Sequence, residues 1–134
     1  TILTPHYGEL SKMLKISTQE LNDNTIEILT DLSKKLENRI LVLKGPNTII
    51  VNGDNQMYII SNGNQLLSTA GSGDVLTGII ASYVALGYSL EESAILGSYI
   101  HSECSNLLRQ KKYENISASH LIDVIPKVQF GLKK

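Results

Sequence analysis

The run Ser68-Thr69-Ala70-Gly71-Ser72-Gly73-Asp74-Val75-Leu76-Thr77-Gly78 constrains this chain more than any other segment. Small residues lead into an apolar stretch, so the backbone must pass from a tight turn into a helix opened by Asp74. Gly71 and Gly73 permit angles that a side chain forbids, and their bareness lets a ligand approach the main chain. Amide groups at a helix start have no partner inside the helix and, with the helix dipole, favour an anion such as phosphate. Asp74 is the odd member, because a carboxylate repels bound phosphate. Such a cost points to chemical work: taking a proton from a hydroxyl that attacks or carries a phosphoryl group. The plainer alternative is a glycine turn with Asp74 as helix N-cap.

The chain has 134 residues, enough for one modest domain with one core. Net charge is −1 and the basic residues are scattered, with no basic stripe interleaved with aromatics, which argues against a nucleic-acid partner. The Lys133-Lys134 end reads as a solvated tail. No apolar run approaches the roughly 20 residues of a membrane span, and no signal peptide is evident. The single cysteine, Cys104, excludes an internal disulfide and fits a reducing compartment, the cytoplasm. It falls in a helical pattern that favours a buried thiol. His6, His101 and His120 are far apart and lack metal-ligand spacing, so no metal site is expected. Thr1-Ile2-Leu3-Thr4 reads as the end of a strand with nothing leading into it, so the chain is expected to be part of a longer polypeptide.

Along the chain, Ile2-Leu3 predicts a short strand and Tyr7 to Leu14 a helix with Leu10, Met13 and Leu14 on one face. Ser17 to Glu20 has capping-box spacing, and a helix from about Asn24 to Glu37 buries Ile28, Leu29, Leu32 and Leu36. The period then changes. Ile40-Leu41-Val42-Leu43 is the continuous apolar run of a strand covered on both faces. Thr48 to Val51 and Met57 to Ile60 form a hairpin around the Asn52-to-Asn55 turn, and Asn62-Gly63-Asn64 turns again. The helix from Asp74 to about Leu86 is apolar almost all round, which predicts burial in the middle of a domain, with Gly87 at its end. A second capping box, Ser89 to Glu92, starts a helix to about Arg109. A polar connector leads to a short helix, Ser117 to about Ile125, ended by Pro126. The fold class is α/β, a sheet covered by helices.

Two further segments could carry chemistry. Lys44-Gly45-Pro46-Asn47-Thr48 follows a buried strand, where ligands bind in open α/β sheets. Lys44 offers a cation, Gly45 close approach and Thr48 a hydroxyl; a plain turn with a solvated lysine is the alternative. Thr4-Pro5-His6-Tyr7-Gly8-Glu9 is a polar break at another strand end. His6 could donate to a substrate or stay a neutral surface ring, and Glu9 could simply favour a helix N-terminus. Tyr58, Tyr83, Tyr88 and Tyr99 read as packing residues.

Taken together, Thr4-Pro5-His6-x-Gly8-Glu9, Leu43-Lys44-Gly45-x-x-Thr48 and Ala70-Gly71-Ser72-Gly73-Asp74-Val75-Leu76-Thr77-Gly78-Ile79-Ile80-Ala81 resemble, in order and spacing, the C-terminal half of the NAD(P)H-hydrate dehydratase family. That family is a branch of the ribokinase-like superfamily. The resemblance runs from Thr1 to about Leu108. It implies the C-terminal portion of a three-layer ribokinase-like domain over residues 1–134. Tyr7 departs from the family, where many relatives have proline, and the residues before Ala70 match poorly.

The resemblance further implies a lyase that repairs hydrated NADH or NADPH. A nucleotide, ADP in most bacterial and archaeal members and ATP in eukaryotic ones, phosphorylates the ring hydroxyl; loss of phosphate restores the double bond. Asp74 would contact the hydrate and act as base. Gly71, Ser72 and Gly73 would form the anion hole, with Gly73 also beside the nucleotide. Lys44, Gly45, Pro46, Asn47 and Thr48 would line the nucleotide site, and His6 would contact the hydrated dinucleotide. Mg2+ is expected with the nucleotide. The family's N-terminal half supplies other strands and part of the hydrate pocket, so the chain alone is expected to be inactive. Some relatives carry an epimerase domain upstream, and an uncovered core face would favour a homo-oligomer. The alternatives are a ribokinase-like kinase of a sugar or a hydroxymethylpyrimidine, and a non-catalytic module that keeps nucleotide affinity.

Overall fold

The elements run, in chain order, β1 (Ile2–Leu3), α1 (Tyr7–Leu14), α2 (Thr18–Asp23), α3 (Thr25–Ser33), β2 (Ile40–Leu43), β3 (Thr48–Val51), β4 (Met57–Ile60), α4 (Ser72–Ala85), α5 (Leu90–Gln110) and α6 (Ala118–Leu132). A computed structural model describes residues 1–132, so the Lys133-Lys134 tail lies outside the described residues. The chain divides into two compact units, Thr1–Ile59 and Ile60–Lys134.

The first unit is built on the four-stranded sheet, ordered β1-β2-β3-β4. β1 pairs parallel with β2, Ile2 opposite Ile40 and Leu3 opposite Leu41. β2 pairs antiparallel with β3, Val42 opposite Ile50. Alternation along the strands sends Leu41, Leu43, Ile49 and Val51 to one face, where they pack with Leu10, Leu21, Leu29 and Leu36 of the helical layer. Ile40, Val42 and Ile50 face the other way and are buried as well, so β2 is covered on both faces as its unbroken apolar run predicts. Each of these leucines contributes about 1.5–3 kcal/mol by leaving water.

The helical layer differs from expectation at one place. The helix expected over Asn24 to Glu37 is Thr25–Ser33, preceded by the separate Thr18–Asp23. Ser17 caps α2 through the Glu20 amide at 3.0 Å. Ser33 then turns inward, donating to the Asn52 carbonyl at 2.7 Å and accepting from the Asn55 amide at 2.9 Å. Beyond Ser33 the backbone tightens into i+3 turns, with the Lys35 amide on the Leu32 carbonyl and the Leu36 amide on the Ser33 carbonyl, and Glu37 turns left-handed at φ 55, so the α-helix ends there.

The second unit is helical, with α4, α5 and α6 around Val75, Ile79, Tyr83, Ile100, Cys104, Leu108, Leu121 and Val124. Ser89 and Glu92 form the expected reciprocal capping box at the start of α5. Gly87, at φ +98, takes the left-handed position after α4. Cys104 is buried, as its helical pattern predicts.

Three expectations for this unit are corrected. α4 begins at Ser72 with Gly71 as N-cap, so Asp74 neither opens the helix nor caps it; it sits at the third helical position. α4 is also not buried all round: Val75, Leu76, Ile79, Ile80 and Tyr83 face the core, while Asp74, Thr77, Gly78, Ala81 and Leu86 are exposed. The outer face is mostly small, so its apolar count overstates what it buries. α6 runs on through Pro126 to Leu132. Proline removes the donor for the Ile122 carbonyl, but residue 126 is exposed and the turn beyond it is held by packing. Val128 joins the core, and Gln129 donates to the Tyr83 hydroxyl at 2.8 Å. No helix among the described residues is long and apolar enough to cross a membrane.

Candidate functional site

The glycine loop is shaped by a tight turn. The Ser72 amide donates to the Thr69 carbonyl at 3.2 Å, and Gly71, at φ 84 and ψ −6, has the angles of the third residue of a type II turn. That conformation strains any residue with a Cβ. The turn is tied from the far end of its unit: Thr69 Oγ1 donates to the Ile116 carbonyl at 2.8 Å, and a Cβ on Gly71 would lie 3.1 Å from that of Ala118. The connector and α6, uninformative as sequence, thus buttress the loop.

At the head of α4 the Ser72 amide is occupied by that turn, whereas the amides of Gly73 and Asp74 have no hydrogen bond among the described residues. These two N–H groups, with the positive end of a 14-residue helix behind them, make the anion-favouring surface of the loop. The Asp74 side chain is exposed and makes no ion pair among the described residues.

Sequence reasoning left out the most unusual neighbour of the loop. His101, 6% exposed on α5, places Nε2 3.0 Å from Ser72 Oγ and 3.0 Å from the Ser72 carbonyl oxygen. One signal existed: Ala94, Gly97, His101, Cys104 and Leu108 follow the three-four spacing of a buried helix face, and a histidine there must find a polar partner.

The other predicted residues lie in the first unit. His6 and Lys44 are brought together by a parallel bridge that extends the β1–β2 ladder, with the Lys44 amide on the Pro5 carbonyl at 2.9 Å. Both therefore stand at the C-terminal ends of parallel strands. Lys44 and Thr48 are half-buried, and Gly45, Pro46 and Asn47 are exposed. His6 is the N-cap of α1: its Nδ1 accepts from the Glu9 amide at 3.1 Å, and Glu9 accepts from the His6 amide at 2.9 Å. An accepting Nδ1 puts the proton of a neutral ring on Nε2, which lies 3.4 Å from Glu9 Oε1. The His6 amide that donates to its carboxylate holds the Glu9 carboxyl below its ordinary range, against a loss of hydration and with help from the positive charges of Lys44 and Lys12. Among the described residues no group of three or more His, Cys, Asp or Glu side chains could hold a metal ion.

The family profile of NAD(P)H-hydrate dehydratases matches residues 1–127. The chain is 39% identical over 128 residues to a bifunctional NAD(P)H-hydrate repair enzyme of Dictyoglomus turgidum, covering 93% of this chain and 24% of that protein. It is 30% identical over 128 residues to the ADP-dependent (S)-NAD(P)H-hydrate dehydratase of Bacillus subtilis, covering 95% of this chain and 46% of that one. The chain thus spans about a quarter of the first relative and less than half of the second. The crystal structure of the Bacillus subtilis ADP/ATP-dependent NAD(P)H-hydrate dehydratase, co-crystallized with ATP/Mg2+, superposes with TM-score 0.88 at 29% identity, over 96% of this chain and 46% of that one. A ribokinase-like superfamily protein of Enterococcus faecalis superposes with TM-score 0.78 at 25% identity, over 94% of this chain and 42% of that one. The expected α/β architecture is therefore that of part of a ribokinase-like fold.

Proposed function

The chain belongs to the NAD(P)H-hydrate dehydratase family, and we propose that it forms the C-terminal part of an enzyme that dehydrates NAD(P)H hydrate at the expense of ADP or ATP. In this reading the amides of Gly73 and Asp74, in the loop Gly71-Ser72-Gly73, hold the phosphoryl group as it moves from nucleotide to ring hydroxyl. Asp74 takes the hydroxyl proton as the new O–P bond forms and the nucleotide's terminal P–O bond breaks; the C–O bond to phosphate then breaks while the neighbouring ring carbon gives a proton to solvent, and the double bond returns. Lys44 to Thr48 line the nucleotide, and His6 faces the hydrated dinucleotide. The observation that carries the reading is an exposed, unpaired carboxylate one position past two glycines, at a helix head whose amides are uncommitted.

Mg2+ is proposed to arrive with the nucleotide, with no dedicated carboxylate ligand on the loop. The ion would ride mainly on the phosphates of the nucleotide and neutralise their charge. A cytoplasmic setting is supported by the free, buried Cys104. A kinase of small alcohols has less support, since the relatives at 30–39% identity are dehydratases or repair enzymes. An upstream epimerase domain is supported by the bifunctional name of the Dictyoglomus turgidum relative. Self-association of the chain stays part of the proposal.

The test is recovery of NADH absorbance from NADH hydrate, with stoichiometric phosphate release, by the protein that carries this chain. Recovery should require ADP or ATP and should be absent from residues 1–134 alone. Accumulation of a phosphorylated alcohol without phosphate release would overturn the dehydratase in favour of a kinase. Robust turnover by residues 1–134 alone would overturn the partial-site reading.

A further inference from the structure

We propose that His101 is a positioning residue for the phosphate loop: its Nε2–H clamps the Ser72 carbonyl and hydroxyl oxygens, leaving the Ser72 hydroxyl proton to be given to a phosphoryl oxygen. This rests on the reading of the loop as an anion hole, and it adds a hydroxyl donor to the two backbone donors of that reading.

A carbonyl oxygen can only accept, so an Nε2 at 3.0 Å from the Ser72 oxygen must carry a hydrogen. The same Nε2 is 3.0 Å from Ser72 Oγ, so the N–H is shared between two acceptors and Oγ is on the accepting side. A hydroxyl that accepts still owns a proton. Ser72 Oγ has no second partner among the described residues, so that proton is uncommitted among them.

Placement gives the proton its use. Ser72 is the first residue of α4, between the N-cap Gly71 and Gly73. Its own amide is spent on Thr69, so its side chain is the donor it has left. Both partners are fixed: Ser72 is 4% and His101 6% exposed, and α5 packs along α4 through Gly97, where a Cβ would lie 2.6 Å from Ile80 Cγ1. A donor held without freedom to rotate loses little entropy when an anion arrives. No proton leaves the imidazole in this scheme; His101 orients and does not react.

The test uses the protein that carries this chain and two readouts. Nitrogen-15 shifts of the imidazole should show Nε2 protonated. Inorganic phosphate, titrated while the Gly73 and Asp74 amide signals are followed, should bind about tenfold more weakly to Ser72→Ala, the size of one hydrogen bond. His101→Leu should lose a similar factor, and His101→Gln, which restores an N–H at that reach, should recover most of it. A bare Nε2, or unchanged phosphate affinity in Ser72→Ala, overturns the inference and leaves the dehydratase reading standing. Phosphate shifts weakened by Ser72→Ala uphold it even where NADH hydrate is not turned over.

Discussion

The Tyr7 ring lies over Gly45 so closely that a Cβ there would stand 2.5 Å from Tyr7 Cε2 and 3.0 Å from Cδ2. Tyr7 fills the first position of α1, where proline is generally favoured. Here an aromatic ring takes that position, and the bare glycine of the Lys44-to-Thr48 segment makes room for it. Gly45→Ala should therefore destabilise the fold by about 1–2 kcal/mol through overpacking, measured by urea unfolding. Tyr7→Ala should relieve part of that cost in the double variant. Additive effects would show that ring and glycine are not coupled.

The cap of α1 gives a pH dependence. Glu9 is held below the ordinary 4.5, first by the His6 amide it accepts from and then by nearby positive charges. A depressed carboxyl in the folded state stabilises above its unfolded value, and the contribution is lost as pH falls through the lower folded value. Nuclear magnetic resonance titration should place the Glu9 midpoint below 4.5, with the α1 amide signals shifting alongside. A midpoint at or above 4.5 would contradict the cap.

Cys104 offers a chemical probe of the second unit. Burial, with the Glu103 charge beside it, pushes its thiol up to about 11, and reactivity follows the thiolate. Iodoacetamide at pH 8 should leave the native protein unmodified and label it rapidly in urea, as read by mass. Fast native labelling would mean that α5 opens where the packing says it does not.

The strands were legible because buried β2 and its hairpin neighbours change the apolar period from helical to continuous, and no competing reading fits Ile40 to Leu43. The Ser89–Glu92 box was legible because both partners lie within one turn of chain. What escaped depends on distant contacts. Nothing near Pro126 announces that Gln129 will reach Tyr83, and nothing near Ser72 announces a histidine 29 residues on. The loop itself is legible down to its glycines, but its helix start is not, because the Thr69–Ser72 turn that spends the Ser72 amide is a property of backbone angles.

Close contact between α4 and α5 is required at Gly97. An added methyl there would meet Ile80 Cγ1 at 2.6 Å and also the Ile80 backbone, its Cα at 3.1 Å and its nitrogen at 3.2 Å. Side-chain rearrangement cannot clear backbone atoms, so the helices must separate. Gly97→Ala should cost about 1–3 kcal/mol in urea unfolding, and Ile80→Val in the same chain should not restore it. Because α5 carries His101, the variant should also weaken phosphate at the Gly73 and Asp74 amides. Unchanged stability would mean that the two helices are less tightly apposed than the contacts require.

The proposed role of Asp74 in chemistry can be tested apart from folding. Its side chain is exposed and makes no ion pair among the described residues, so its loss leaves no buried partner stranded. An acidic residue in the first turn contributes a few tenths to about 1 kcal/mol through the helix dipole, which sets the ceiling on what Asp74→Asn can cost in stability. A general base contributes roughly 10²- to 10⁴-fold in rate. In the protein that carries this chain, Asp74→Asn should therefore abolish recovery of NADH while the melting temperature moves by a few degrees at most. Nucleotide should still bind, and more tightly if anything, since the substitution removes a negative charge beside phosphate. Wild-type turnover in this variant would remove Asp74 from the reaction, and lost nucleotide binding would make it a ligand-holding residue instead.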